Sequence, residues 1–502
     1  MEADFESLYS TVRDKTAGLL ERASGLVSME EEGLYNHDLG DMSEEELYEL
    51  KNERLRYTVE YAWENSDFYR ELMEEEGLEP ADFETVEDLE KLPVVEGEDI
   101  LENQPPQTRE YWFKNERANT RRPFNTSGST GQPKTVFYSY DEMERTYDDV
   151  RRGLEHLGVE EGDKAVNYFP FVGLNISCMG NEGGMEELNI ETIPISNTPF
   201  PTDVEAGILR SHAPRSDDTS YVMLGLPSHV DSKGKDLKNQ GMSPEEFGID
   251  TIILAGEPVS ENRKEHIAET YQADVYEFLG STEAGASAYE CVERSGKLHL
   301  MEDSVHHEVL DPESREPVET GKEGELVVSR LLHPGEESSM PLLRYNLGDL
   351  VTIHEQDGEC GCKLGGGRLI ETPKRDEWSF ILGAVNVDPV YFEDSIFSHE
   401  ELKEEVREFQ LQVDYDEETG RDVLDVLLEP DSEELAGRVY EDVARQEQPS
   451  DSLEELGNMF LDGNSHLHDT VDTVGAAEIN IKLVDEIETG KGKPDRFVDL
   501  RD

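Results

Sequence analysis

Thr126-Ser127-Gly128-Ser129-Thr130-Gly131-Gln132-Pro133-Lys134 is a glycine- and hydroxyl-rich stretch that ends on a cation. Its two glycines let the backbone turn tightly and approach a ligand closely, where a side chain would stand in the way. The hydroxyls and the backbone N–H groups between them can cradle phosphate oxygens, and Lys134 adds a positive charge at the end. No G-x-x-x-x-G-K-[ST] spacing occurs, so the stretch is not a Walker A loop. Thr135-Val136-Phe137-Tyr138 reads as a β-strand that would anchor the loop to a sheet.

Outward from this loop, Leu154 to Asp349 alternates short apolar strands with helical segments, the strands including Ala165–Phe169, Glu191–Ile195, Thr251–Leu254 and Val275–Phe278. That alternation predicts an α/β fold with a parallel or mixed sheet flanked by helices. Upstream, Ser43-Glu44-Glu45-Glu46 fits a capping box opening a long helix, with Leu47, Leu50, Tyr57 and Tyr61 expected on its core face. Past the break at Gly365-Gly366-Gly367 the pattern becomes a smaller α+β segment with strands at Phe409–Val413, Val423–Leu428 and Ile479–Val484. The expected division is an acidic helical extension over 1–42, a large domain over 43–374 and a small domain over 375–502, the boundary falling near Lys374–Trp378.

Several further segments, in the same order along the chain, give the loop its meaning. The chain resembles the adenylate-forming superfamily of acyl- and aryl-CoA ligases, and within it the branch of phenylacetate-CoA ligases and coenzyme F390 synthetases. The resemblance covers roughly residues 43–502, from Asn52-Glu53-Arg54-Leu55-Arg56 and Glu64-Asn65-Ser66-Asp67-Phe68-Tyr69-Arg70 onwards. It implies an ATP phosphate-binding loop at Thr126, Ser127, Gly128, Ser129, Thr130, Gly131 and Lys134. Ala255-Gly256-Glu257-Pro258 resembles the family's nucleotide-binding turn. Phe278-Leu279-Gly280-Ser281-Thr282-Glu283 resembles Y-G-x-[ST]-E, which implies a phosphate-side hydroxyl at Thr282 and a Mg²⁺-binding acid at Glu283. Leu279 replaces the tyrosine, so apolar packing stands in for aromatic stacking on adenine beside Gly280.

Leu343-Arg344-Tyr345-Asn346-Leu347-Gly348-Asp349-Leu350 resembles R-Y-R-T-x-D-L, which implies that Asp349 accepts the ribose hydroxyls; a carboxylate suits a diol because it accepts without donating. Lys374-Arg375-Asp376-Glu377-Trp378 stands at the family's hinge, with Arg375 toward ribose or phosphate and Asp376 or Glu377 as the hinge acid. Gly383-Ala384-Val385-Asn386-Val387-Asp388-Pro389 resembles the turn that follows. Gly492-Lys493-Pro494-Asp495-Arg496 keeps the G-K-x-x-R spacing of the mobile catalytic lysine, making Lys493 the expected catalytic cation and Lys491 the alternative. The implied fold is a large adenylation domain with a small mobile lid. The implied reaction joins a carboxylic acid, expected to be an aryl acid, to coenzyme A through an acyl-adenylate, with ATP and Mg²⁺. Three other readings stay open: AMP transfer to a deazaflavin, acyl transfer to a protein, and a binding protein with an inactive site. The acyl pocket is expected between Phe169–Asn175 and Ala255–Ser281.

Cys291, His299 and Cys360-Gly361-Cys362 lie between the acidic motif and the hinge. Three thiolates and an imidazole make a closed tetrahedral structural zinc site, with His306 and His307 as alternative ligands and Cys178 in the core. Related ligases look similar here.

Composition sets the surroundings. Asp and Glu number 117 against 45 Lys and Arg, a formal charge of −72 spread along the chain. Such a balance repels nucleic acid and anionic membrane, so neither is an expected partner. The amphipathic patterns argue for a folded, hydrated acidic surface of the kind found in organisms that keep molar salt in the cytoplasm. Four cysteines make no disulfide framework, the N-terminus lacks the regions of a signal peptide, and no apolar run is long enough to span a bilayer. The expectation is a cytoplasmic monomer or homodimer.

Overall fold

The computed structural model describes residues 42–126, 133–171, 175–196, 200–216, 219–355, 360–364, 367–375, 380–382, 385–400, 402–416, 421–431, 477–484, 486–487, 489–490, 493–494 and 496–501. Residues 1–41 of the extension expected over 1–42 lie outside them, as do Ser127–Gln132, Asp376–Trp378 and Lys491.

Helix Glu44–Asn65 opens on the capping box expected at Ser43: its hydroxyl accepts from Glu46 N, and the Glu46 carboxylate accepts from Ser43 N at 2.9 Å. The expected core face is rotated, however. Leu47 is buried, but Leu50, Tyr57 and Tyr61 are only half-buried, and the buried stripe runs through Lys51, Arg54, Leu55, Thr58, Val59 and Ala62. Hydrophobicity alone misreads this helix because its inner face carries paired charges. Lys51 meets Glu302 at 3.1 Å and Arg54 meets Asp303 at 3.5 Å, and a buried charge is tolerated when partnered. Tyr57 and Tyr61 instead donate to the carbonyls of Glu336 and Ser338, at 3.0 and 2.9 Å.

The strands begin with the antiparallel pair β1 (Thr120–Asn125) and β2 (Thr135–Ser139), which carries the glycine-rich stretch between its ends. Next come β3 (Lys164–Asn167), β4 (Glu191–Pro194), β5 (Tyr221–Gly225), β6 (Thr251–Leu254) and β7 (Asp274–Ser281). These five pair in parallel in the order β7-β6-β5-β3-β4. Helices fill the connections, as the alternation in sequence requires. Of the strands expected from Ala165 through Val484, Thr251–Leu254 agrees with observation at both ends, and the others differ only at their ends, by one to three residues.

From β7 the same sheet continues antiparallel through β8 (Gly285–Cys291), β9 (Arg294–Leu300), β10 (Val305–Leu310), β11 (Glu323–Arg330), β12 (Tyr345–His354), β13 (Leu369–Glu371) and β14 (Lys374–Arg375). The whole is a 12-stranded mixed sheet, ordered β10-β11-β12-β13-β9-β8-β7-β6-β5-β3-β4, with β14 alongside β12. One core, with Leu55, Tyr69, Phe124, Tyr138, Leu326 and Tyr345, ties the first helices to β2 and β12. Two others pack helices on the parallel strands.

After β14 come the short pair β15 (Phe380–Leu382) and β16 (Val385–Val387), helix Pro389–Ser398, and strands β17 (Val406–Asp416), β18 (Arg421–Pro430) and β19 (Ala477–Leu483). Then follow β20 (Thr489–Gly490), β21 (Lys493–Pro494) and β22 (Phe497–Asp499). A four-stranded sheet ordered β19-β18-β17-β22 encloses its own core of Phe380, Leu382, Phe392, Phe409, Leu411 and Val426. Among the described residues no helix is long and apolar enough to cross a membrane.

Candidate active site and metal centre

Three distant stretches converge on one ionic cluster. Lys134 precedes β2, Glu283 lies in the turn after β7, and Tyr345 opens β12. Lys134 Nζ sits 3.0 Å from Glu283 Oε1 and donates to the Tyr345 hydroxyl at 2.6 Å, and that hydroxyl donates to Glu283 Oε1 at 3.2 Å. The ammonium also lies 5.4 Å from the Tyr345 ring centre, within reach of the cation–π attraction. Tyr345 is fully buried and Glu283 nearly so, so the three groups hold one another with little competition from water. Gly97 leaves room for them, since a Cβ there would stand 3.3 Å from Lys134 Nζ. A buried carboxylate beside an ammonium and a phenol, at the end of a glycine-rich loop, is equipped to take a divalent cation and the oxygens of a polyphosphate.

Thr126 closes the base of the loop by exchanging hydrogen bonds with Lys134: its N donates to Lys134 O at 3.0 Å and its Oγ1 accepts from Lys134 N at 3.3 Å. Tyr138 on β2 donates to the carbonyl of Thr282 at 3.0 Å. Burial pushes the Tyr138 phenol up to about 12, so it stays a donor throughout the neutral range. The strand behind the loop and the turn bearing Thr282 and Glu283 are thereby tied together. Ser281 Oγ accepts from Ala284 N at 2.9 Å and shapes the same turn. Leu279 is half-buried against the core that holds Tyr345, and Gly280 follows it on β7.

Gly256-Glu257-Pro258 leaves the carboxyl end of β6. Gly256 has φ +85°, a backbone conformation that favours glycine, and a Cβ there would also press on the end of the Leu226 side chain at 2.9 Å. The Glu257 carboxylate receives Ser228 N at 3.1 Å and Ser228 Oγ at 2.9 Å at the start of helix Pro227–Asn239. It therefore caps a helix and complements its dipole. The carboxyl ends of β5, β6 and β7 together form the edge at which open α/β sheets bind ligands. Asp349 is buried on β12, directly opposite Arg375 of β14 in the antiparallel register. Arg375 and Lys493 are described by their backbone, and Lys493–Pro494 pairs with Thr489–Gly490. At the expected acyl pocket, Phe169 meets Phe278 edge-on at 6.0 Å, and Phe278 stacks on Tyr289 at 5.2 Å. A cleft of about 500 Å³ lined by Glu90, Leu92, Glu96, Arg315 and Arg344 contains none of the expected site residues.

The four expected metal ligands also meet. Cys291 ends β8, His299 lies on β9, and Cys360 and Cys362 come from the connection between β12 and β13. Their ligand atoms all lie within 4.8 Å of one another. Cys291 Sγ is 3.5 Å from both Cys360 Sγ and Cys362 Sγ, and Cys360 Sγ is 3.4 Å from His299 Nε2. Sulfurs at about 2.3 Å from a tetrahedral zinc stand roughly 3.8 Å apart, so the set closes around such an ion with small adjustments. All three cysteines are free thiols. Burial pushes the Cys291 and Cys362 thiols up, and a bound dication would supply the charge their thiolates need. His306 and His307, the alternative ligands, do not join the cluster. Both are buried on β10, and burial pushes His307 down to about 3. Cys178 is buried in the core, as expected.

Reading the sequence assigned no role to Tyr345, Tyr138, Gly97 or Ser228. Tyr345 stood inside a recognised segment and could have been singled out four residues before Asp349. For the others, whose partners lie far away in the chain, no local signal exists.

The fold matches that of solved CoA ligases. The structure superimposes on 2-hydroxyisobutyryl-CoA ligase, solved in its postadenylation state with 2-HIB-AMP, with a TM-score of 0.72 over 90% of this chain and 89% of that one at 22% identity. In sequence the chain is similar to phenylacetate-coenzyme A ligases. It is 29% identical to the enzyme of Thermus thermophilus over 362 residues, 72% of this chain and 77% of that protein. With the enzyme of Aromatoleum evansii the identity is 25% over 398 residues, 79% and 84% of the two chains. No family model matches the chain.

Proposed function

We infer that this chain is an ATP-dependent carboxylic acid–CoA ligase that works through an acyl-adenylate. The observation that carries the reading is the Lys134–Tyr345–Glu283 cluster, set at the sheet edge of a CoA-ligase fold whose sequence relatives are phenylacetate-coenzyme A ligases. In the first half-reaction a carboxylate oxygen of the acid attacks the α-phosphorus of ATP. The bond to the bridging oxygen breaks, and pyrophosphate leaves. In the second, the sulfur of coenzyme A attacks the acyl carbon, its proton is lost and AMP departs.

Each residue has a task in that scheme. Lys134 and the loop Ser127–Gly131 hold the phosphates, Thr282 contacts them, and Glu283 would hold Mg²⁺, which supplies charge neutralisation on the phosphate oxygens when bound. The Gly256-Glu257-Pro258 turn and Leu279-Gly280 border the adenine. Asp349 accepts from the ribose hydroxyls, with Arg375 beside it. Lys493 offsets charge developing on the α-phosphate. Residues 375–502 act as the lid that carries Lys493, hinged at Lys374–Trp378. Cys291, His299, Cys360 and Cys362 would hold a structural zinc, which supplies a rigid crosslink when bound and leaves no open position for chemistry. An aryl acid is the favoured substrate, because the sequence relatives are phenylacetate-coenzyme A ligases.

A pyrophosphate-release screen over aryl and fatty acids, with and without coenzyme A and in low and molar KCl, tests this. Release that depends on an arylacetic or benzoic acid, with thioester formed only when coenzyme A is present, is the expected result. Adenylylation of a deazaflavin, or transfer to a protein acceptor in place of coenzyme A, would replace the reading.

A further inference from the structure

A buried ionic knot joins the nucleotide-binding turn to the segment behind Lys493. Ser260, two residues past Pro258, caps helix Glu261–Tyr271. Its backbone N–H donates to Glu393 Oε2 at 2.7 Å, across to helix Pro389–Ser398. Arg263, one turn into the capped helix, donates to the other oxygen of the same carboxylate at 2.7 Å and reaches Asp231 at 3.1 Å. From the far side Arg496, three residues after Lys493, places its guanidinium 3.5 Å from Glu393 and pairs with Glu408. Arg496, just before β22, is held in turn by the neighbouring strand β17: it donates to Phe409 O at 3.2 Å, lies 4.4 Å over the Phe409 ring, and its carbonyl accepts from Leu411 N. Lys235 completes the knot, 3.0 Å from Asp231 and donating to Val406 O at 2.6 Å.

The charges balance, with Arg263, Arg496 and Lys235 against Glu393, Asp231 and Glu408, and the side chains are at most a tenth exposed. An interface of this kind differs physically from an apolar one. Desolvating ions costs most of what their attraction returns, so the net stability is small while the geometry is strict. On separation each ion regains water, and the apolar group uncovered with them is the Phe397 ring, which lies 4.8 Å from Arg263 and 5.2 Å from Lys235. Such a contact seats in one register and lets go easily. Rim pairs frame it, including Asn262 with Asp394 at 2.9 Å and Lys238 with Glu404 at 2.9 Å.

We propose that Glu393 is a positioning residue for the adenylation half-reaction: by accepting Ser260 N–H and Arg263 from the nucleotide turn and facing Arg496 behind Lys493, it docks the lysine segment for attack at the α-phosphate and lets go before thioester formation. This role rests on the ligase reading above. It assigns to one carboxylate the link between the occupied nucleotide turn and the placement of the lysine.

Glu393→Gln keeps the shape and the acceptor but removes the charge. It should lower acid-dependent ATP–pyrophosphate exchange about ten- to a hundredfold, the cost of a small misplacement of a catalytic group, with KM for ATP little changed. Thioester formation from pre-made acyl-adenylate and coenzyme A should keep at least the wild-type rate. Hydrogen exchange supplies a readout apart from activity: the Ser260 amide should be protected in the wild type and exchange faster in the variant. Asn262→Ala, at the half-buried rim, should show the same split on a smaller scale and covers the case in which Glu393→Gln does not fold. Equal losses in both half-reactions, or no loss in either, would overturn the role while leaving the ligase reading intact. A wild type without acid-dependent exchange would overturn the ligase reading and this role with it.

Discussion

Replacing Cys360 by serine removes the sulfur that lies closest to the other three ligands of the cluster, at 2.9, 3.4 and 3.5 Å. If a zinc ion joins these residues, its main effect on stability is to tie two distant parts of the chain. His299 and Cys360 are 61 residues apart, and closing a loop of that length lowers the entropy of the unfolded chain by about 4 kcal/mol on the relation used for disulfides. For a chain of 502 residues, at about 2.1 cal/mol/K of unfolding entropy per residue, that corresponds to a fall in Tm of roughly 4 °C. Scanning fluorimetry of the wild type, the chelator-treated protein and Cys360→Ser should give the same lowered Tm for the last two, with further chelator having no effect on the variant. Activity should fall as a consequence of lost stability, and recover at low temperature. Cys178→Ser, in the separate core, should leave metal content unchanged. Elemental analysis of protein purified without added metal gives the decisive number. Less than about a tenth of an equivalent of zinc, with Cys291, Cys360 and Cys362 all titrating as free thiols in the native state, would refute the metal centre, because a structural site binds far too tightly to be lost in purification.

Three other outcomes are expected. With a formal charge of −72, the fold should strengthen as salt shortens the Debye length from about 10 Å at 0.1 M to about 3 Å at 1 M; a melting curve unchanged between these conditions would end the halophilic reading. Lys493→Ala should lower acid-dependent pyrophosphate exchange by about 10²–10³ while sparing thioester formation from pre-made adenylate, and the same selective loss in Lys491→Ala would move the catalytic role to that residue. Glu277, buried on β7 beside Lys264, is raised by burial from 4.5 to about 7. Its folded form therefore favours the proton, and its contribution is full below about pH 4.5 and is lost as pH rises through about 7. Against Glu277→Gln, the wild type should lose up to about 3 kcal/mol across that window, and parallel pH–stability curves for the two proteins would contradict this.

The linear motifs were legible because each depends on backbone freedom or on side chains within a few residues. The capping box at Ser43, the glycine turn at Gly256, and strand Thr251–Leu254 all follow from local sterics and period, and the structure has them in place. Cys291, His299, Cys360 and Cys362 could be proposed together because cysteines are scarce in this chain, although only the pairing of β9 with β8 and β13 brings them within reach. The rotated face of helix Glu44–Asn65 was not legible, since Lys51 and Arg54 look like solvated charges until Glu302 and Asp303 arrive from the sheet. The same holds for the contact of Tyr345 with Lys134, 211 residues away, and of Glu393 with Arg263, 130 residues away. A charge's burial, and the partner that makes its burial tolerable, are properties of the packed chain. Spacing along a sequence carries the turn, the strand and the motif; which acid meets which base is decided only when the sheet and its helices close.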